Sequence, residues 1–181
     1  MAGSAPSALE EVASSRDLEP DEADLVRRAQ LGSASAFDRL VVSRGPDLYR
    51  YLLVRLRNES DARDALQETM TAAWQGLRGL RQPDRFWPWL VAIAARKASA
   101  VARNRLSAVA YELELLAHED DDVVELWDAV ARLPDHLREV LVLRFRLQLT
   151  EKEVAEVLGV RVGTVKSRSA RARRALEELL R

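Results

Sequence analysis

Seven side chains near the C-terminal end, Thr164, Lys166, Ser167, Arg168, Arg171, Arg173 and Arg174, fall within the stretch "GTVKSRSARARR". Every one is a hydrogen-bond donor. Thr164, Ser167, Arg171 and Arg174 follow at spacings of three and four, which aligns them down one side of a helix, with Lys166, Arg168 and Arg173 flanking. Guanidinium and ammonium groups so arranged suit phosphate oxygens and the acceptor edges of bases in a major groove. The chemistry is non-covalent recognition. A helix must carry it, and the complementary stripe Val162, Val165, Ser169, Ala172, Leu176 and Leu179 gives that helix an inward face. Upstream, Thr150 and Glu153 have the spacing of a capping box that opens a short helix bearing Val154, Ala155, Val157 and Leu158. Gly159 then supplies a tight turn, and the whole reads as a helix-turn-helix. The bland alternative is a solvated basic face on a packing helix; box, short helix and glycine turn together favour the DNA-reading one.

Two further clusters could act. In "RFWPWLVAIAARKASAVARNR", aromatic residues precede a basic helix, a pairing suited to unpaired bases and a single-stranded backbone. Arg81, Arg85, Arg96, Lys97 and Arg103 are the candidates there, whereas Trp87 and Trp89 are assigned to packing beside Leu90 and Ile93. In "DARDALQET", Asp64, Gln67 and Glu68 share one helix face by i,i+3 and i,i+4 spacing, with Ala65, Leu66 and Met70 read as structural. By itself that face is an ordinary solvated acidic surface. No enzyme, metal site or cofactor is expected, because His118 and His136 lack ligand spacing, no glycine-rich phosphate loop occurs, and "HEDDD" lacks a calcium loop's alternation.

The elements that position these groups are helical throughout. The chain has 181 residues, 48% of them hydrophobic but only 6% aromatic, with few Gly and Pro, which predicts an all-α fold of two small helical domains joined by a linker. Its net charge of −1 conceals a segregation of acidic and basic stretches. Absence of cysteine excludes disulfides and thiolate ligands and fits a reducing compartment. Neither a secretory start nor a membrane-spanning apolar run occurs, so a cytoplasmic location without membrane insertion is expected. Residues 1–20 read as a flexible acidic tail. From Asp21, Leu25, Val26, Ala29, Phe37, Leu40, Leu48, Leu52 and Leu56 recur at helical spacing, with Gly45-Pro46 expected to separate two helices. Ser60 is expected to cap a third helix running to about Gly76, and another follows Pro83 with Pro88 in its first turn. The region 21–106 forms the first domain, 107–121 an acidic linker, and 122–181 the second, with a break at Pro134 and an apolar helix reaching Phe145.

From Leu133 to Leu176, "LPDHLREVLVLRFRLQLTEKEVAEVLGVRVGTVKSRSARARRAL" resembles the C-terminal promoter-binding domain of bacterial sigma factors, and also the LuxR-type regulators. The N-terminal half separates these readings. There "DLVRRAQLGSASAFDRLV", "DARDALQETMTAAW" and "RFWPWLVAIAARKA" occur in the order found in sigma domain two. Both domains in order, without a domain three between them, resemble the extracytoplasmic-function (group IV) sigma factors. That resemblance implies a non-enzymatic factor that binds core RNA polymerase and directs promoter-specific initiation, with a freestanding LuxR-type regulator as the alternative. It implies that Asp64, Gln67 and Glu68 grip the polymerase clamp, that the Arg81 to Arg103 group meets the downstream promoter element, and that the Thr164 to Arg174 group reads the upstream one. An anti-sigma factor is the further partner implied. The chain departs from the family at Arg96 and Ser99-Ala100, where many members carry Asn and then an aliphatic-Asp pair. It departs again at Ser169 and Ala170, where a large aliphatic and an aromatic or His are common.

Overall fold

The computed structural model describes residues 21–104 and 129–180; the expected tail at 1–20, the linker at 107–121 and the Arg103 side chain lie outside the described residues. Among the described residues the fold is carried by α1 (Glu22–Gln30), α2 (Ala34–Leu56), α3 (Glu59–Gly76), α4 (Phe86–Asn104), α5 (Asp135–Leu141), α6 (Glu151–Leu158) and α7 (Val162–Leu179), with residues 129–132 also helical. Short 3-10 turns at Leu77–Gly79 and Pro83–Arg85 bend the chain from α3 into α4. No strand occurs among the described residues.

Local chemistry accounts for most of the boundaries. Glu22 and Asp24 place negative charge at the start of α1, and Ser33 caps α2 by accepting the Ala36 N–H at 3.3 Å. The expected break at Gly45-Pro46 does not occur, for α2 runs through it. Phe37, Leu40, Leu48 and Leu52 form one buried stripe across the proline, and burying it offsets a proline penalty of about 3 kcal/mol. The carbonyl left without an N–H donor belongs to Val42, which is 76% exposed, so water can take the missing bond. Arg57 ends α2 in the left-handed conformation at φ 51°. Asn58, rather than Ser60, then caps α3 by accepting the Asp61 N–H at 2.9 Å. The left-handed residue turns the chain so that Asn58 is the extended residue facing the new helix, which leaves Ser60 inside its first turn.

In the C-terminal half, Pro134 is the N-cap of α5. An uninterrupted helix to Phe145 is not what forms: α5 gives way to a π-helical turn at Val142–Arg146, where the Leu147 N–H reaches back to the Val142 carbonyl at 2.9 Å. Leu143 and Leu147 are thereby buried while Phe145 stays 58% exposed. Arg144 bonds the Leu149 carbonyl and fixes the entry to α6. The capping box is complete, with the Thr150 N–H on Glu153 Oε2 at 2.8 Å and the Glu153 N–H on Thr150 Oγ1 at 3.3 Å. Gly159 closes α6 at φ 65°, a conformation that costs a side-chain-bearing residue strain.

The larger apolar core among the described residues runs through both halves. Leu48, Leu52, Phe86, Leu90 and Ala94 from α2 and α4 are continuous with Val140, Leu143, Leu147, Val154 and Val165. A smaller cluster of Leu133, Leu137, Leu141 and Ala172 ties α5 to α7. Where α2 meets α5, the buried Tyr51 hydroxyl donates to Glu139 Oε1 at 3.0 Å, and Arg55 pairs with the same carboxylate. Burial pushes the Tyr51 phenol up to about 12, with the Arg55 charge pulling the other way. Arg138, 4% exposed, donates to the Leu133 carbonyl at 2.7 Å and to Asp135 at 2.9 Å. Its burial lowers the guanidinium pKa, and the Asp135 charge opposes that.

Candidate nucleic-acid interface

The inward stripe of α7 is real at its centre and frayed at its ends. Val165 and Ala172 are fully buried and Ser169 is 7% exposed, while Val162 and Leu179 stand exposed. With that stripe seated, the chain presents Lys166, Ser167, Arg171, Arg173 and Arg174 to solvent, and Thr164 and Arg168 at the margin. Five of the seven predicted residues are thus exposed and two are half-buried beside them. Its polar groups are partly ordered already: Ser167 Oγ donates to the Thr164 carbonyl at 3.0 Å, and Arg171 Nε to the Ser167 carbonyl at 3.4 Å. Lys166 Nζ lies 3.8 Å from Glu151 on α6. Arg161, which the sequence reading passed over, stands exposed at the α7 N-cap and extends the cationic surface. Its signal was the N-cap position itself, where a cation makes no side-chain cap. Ser169 is the anomaly, since its hydroxyl is buried without a hydrogen-bond partner.

The basic-aromatic segment does not form one patch. Arg81 and Arg85 lie at the foot of α4 and line an open cleft of about 380 Å³ with Pro88, Trp89, Glu153 and Glu156. Arg85 Nη2 is 2.6 Å from Glu156 Oε2 on α6. Arg96 is exposed further along α4, and Lys97 turns towards α3, where its Nζ is 3.0 Å from Glu68 Oε2. Both tryptophans serve packing. Trp87 Nε1 donates to the Leu147 carbonyl at 2.9 Å beneath the Arg44 guanidinium, 4.9 Å from its ring centre. Trp89 lies over Gly76, where an added Cβ would sit 3.4 Å from the ring.

Asp64, Gln67 and Glu68 are all exposed on α3 and share a shallow groove with Thr71, Gln75 and Lys97. Behind them Ala65 is buried and Leu66 and Met70 pack against the core, as their spacing predicts. A residue from the expected polymerase surface and one from the expected downstream-element surface are therefore joined by the Glu68–Lys97 pair. Among the described residues no group of His, Cys, Asp and Glu is placed to hold a metal ion, and no helix is long and apolar enough to cross a membrane.

Described residues without a strand, carrying a helix-turn-helix with a cationic outer face, define a DNA-directed regulator. Comparison with known proteins narrows the class. Residues 40–107 match sigma-70 region 2 and residues 124–176 match sigma-70 region 4. The ECF RNA polymerase sigma factor BldN of Streptomyces coelicolor is 34% identical over 87% of this chain, which spans 65% of that relative's length. The ECF RNA polymerase sigma-E factor of Haemophilus influenzae is 30% identical over 84% of this chain and 92% of its own. Among solved structures, CnrH in complex with the cytosolic domain of CnrY superposes with a TM-score of 0.68 at 30% identity, covering 88% of this chain and 96% of that one. The sigma factor RpoE in complex with the anti-sigma factor NepR from Bartonella quintana shares the fold, with a TM-score of 0.67 at 23% identity over 80% of this chain and 96% of its own. The chain belongs to the extracytoplasmic-function sigma factors of the sigma-70 family. It is an alternative sigma factor that directs transcription initiation with RNA polymerase, and the region 2 match separates it from the LuxR-type regulators.

Proposed function

We propose that the three surfaces divide the work of initiation. On α7, Lys166, Ser167 and Arg171 reach base edges of the upstream promoter element, and Thr164, Arg168, Arg173 and Arg174 hold phosphates. Arg81, Arg85, Arg96, Lys97 and Arg103 engage the downstream element as it melts, and Asp64, Gln67 and Glu68 bind core polymerase. Domain two then comprises 21–106, the linker 107–121 and domain four 122–181. The observation that carries this reading is the α7 face: Lys166, Ser167, Arg171, Arg173 and Arg174 turned to solvent, with Thr164 and Arg168 at the margin, by a buried Val165, Ser169 and Ala172 stripe. An anti-sigma partner is proposed from two solved relatives, RpoE, whose complex contains the anti-sigma factor NepR, and CnrH, bound to the cytosolic domain of CnrY. The cytoplasm, where polymerase and promoters are, is the proposed location.

Reconstituted transcription tests the assignment. Added to core polymerase, the chain should create promoter-specific start sites, and Asp64→Arg should reduce them by weakening core binding while leaving duplex binding by α7 intact. Undiminished initiation by Asp64→Arg would remove that residue from the polymerase surface.

A further inference from the structure

Nothing among the described residues asks for a glycine at the second position of α7. Gly163 is exposed, its backbone lies outside the left-handed region, and a Cβ added there would meet nothing within 4 Å. Other glycines have an internal reason. Gly159 holds φ 65°, and at Gly76 a Cβ would sit 3.4 Å from the Trp89 ring. A helix nevertheless carries glycine at a cost that alanine avoids, because the bare residue loses more backbone freedom on folding. A glycine that the fold tolerates without needing it points to a close approach from outside.

Its place on α7 says what approaches. Gly163 lies one turn before Ser167, and Ala170 one turn after it. Ser167 is the shortest of the three side chains assigned above to base edges, so it reaches a base only if the helix backbone itself comes close to the floor of the major groove. Its neighbours permit that. Gly163 has no side chain, Ala170 is half-buried, and Arg171 lies back along the helix with its Nε on the Ser167 carbonyl at 3.4 Å. The N-terminal residues of a recognition helix are also those that meet base edges.

We infer that Gly163 is a positioning residue for the upstream element: base-pair edges pack against its bare Cα, and this close seating brings the Ser167 hydroxyl within hydrogen-bonding distance of a base. The inference rests on the assignment of α7 to that element. A carbon bonded to Cα stands about 1.5 Å from it. A methyl group at this position therefore holds the helix off the groove floor and stretches a Ser167 bond of about 2.8 Å beyond about 3.5 Å, where it no longer counts as one.

Duplexes recovered from a randomised promoter library by the wild-type chain with core polymerase supply the probe. Gly163→Ala should lower the affinity of that holoenzyme for the recovered duplex about tenfold. It should also raise the urea midpoint of the free chain, and a merely structural role cannot move stability and affinity in opposite directions. Gly163→Leu should lower affinity further. Ser167→Ala should weaken the wild-type complex several-fold and cost nothing more once Gly163→Ala is present. Ser169→Ala, on the buried side of α7, controls for added helix stability and should leave affinity unchanged. Full affinity in Gly163→Ala, while Arg171→Ala still weakens binding, would overturn the role of Gly163 alone. Full affinity and unchanged base preference in both variants would overturn the α7 assignment itself. A lowered urea midpoint in Gly163→Ala would mean that the fold needs the glycine, and additive losses from Gly163→Ala and Ser167→Ala would break the link to Ser167.

Discussion

Replacing Ser169 by alanine should make the chain more stable. The side chain is 7% exposed on the inner face of α7, and its hydroxyl finds no hydrogen-bond partner there. Leaving a buried hydroxyl unsatisfied costs about 1 to 3 kcal/mol, and alanine is favoured over serine in a helix interior by about 0.5 kcal/mol. Against these gains stands the loss of one oxygen's dispersion contacts, a few tenths of a kcal/mol. The net gain is about 1 to 3 kcal/mol, which at roughly 2 to 4 °C per kcal/mol for a chain of this length raises Tm by about 2 to 12 °C. Urea unfolding followed by far-ultraviolet circular dichroism measures it directly, as a higher midpoint at unchanged slope. Because the side chain faces away from the donors, promoter affinity should stay the same. A midpoint equal to or below wild type would refute the reasoning, since it would mean that the hydroxyl is satisfied in solution.

Other outcomes follow from the same geometry. Tyr51 holds its proton in the folded chain up to about pH 12, while in the unfolded chain it ionises near 10. The unfolded state therefore sheds the proton first, and stability fully present below about pH 10 falls as pH rises towards 12, by roughly 2 to 3 kcal/mol. Denaturation across that range, with Tyr51→Phe lacking this component of the loss, checks the sign. Thr150→Ala removes one half of the α6 capping box and should cost about 1 kcal/mol in the same urea assay, with Thr150→Ser largely restoring it. Arg171→Ala should relax sequence preference at one base pair by about 1 to 3 kcal/mol, whereas Arg173→Ala should weaken binding evenly across sequences. Selection from a randomised promoter library separates the two, and identical preferences for wild type and Arg171→Ala would exclude Arg171 from base contact.

What was legible in the sequence was local. Thr150 with Glu153, Gly159, and the spacing from Val165 to Ala172 fix α6, its turn and α7 because each signal acts over a turn or two of chain. Pro46 misleads for the opposite reason. A local breaker is overridden there by burial that neighbouring residues alone do not reveal, and only the exposure of Val42 makes the lost hydrogen bond affordable. Asn58 and Ser60 are both good caps two residues apart, and the left-handed Arg57 decides between them. On the functional side, periodicity separated the buried Val165, Ser169 and Ala172 from the exposed Lys166, Ser167, Arg171, Arg173 and Arg174, yet no spacing rule foretells that Arg85 meets Glu156 or that Glu68 meets Lys97. Those pairs join residues distant in sequence, and their partners are set by how helices pack.

The apolar core shared by the two halves also governs how this chain behaves when it is alone. Separating the halves would bring parts of Val140, Leu143, Leu147 and Val154 into water, surface that drives self-association as concentration rises. An opened chain is therefore short-lived unless another macromolecule is present to receive that surface. Whether the chain stays monomeric as it is concentrated therefore depends on its two halves remaining packed together.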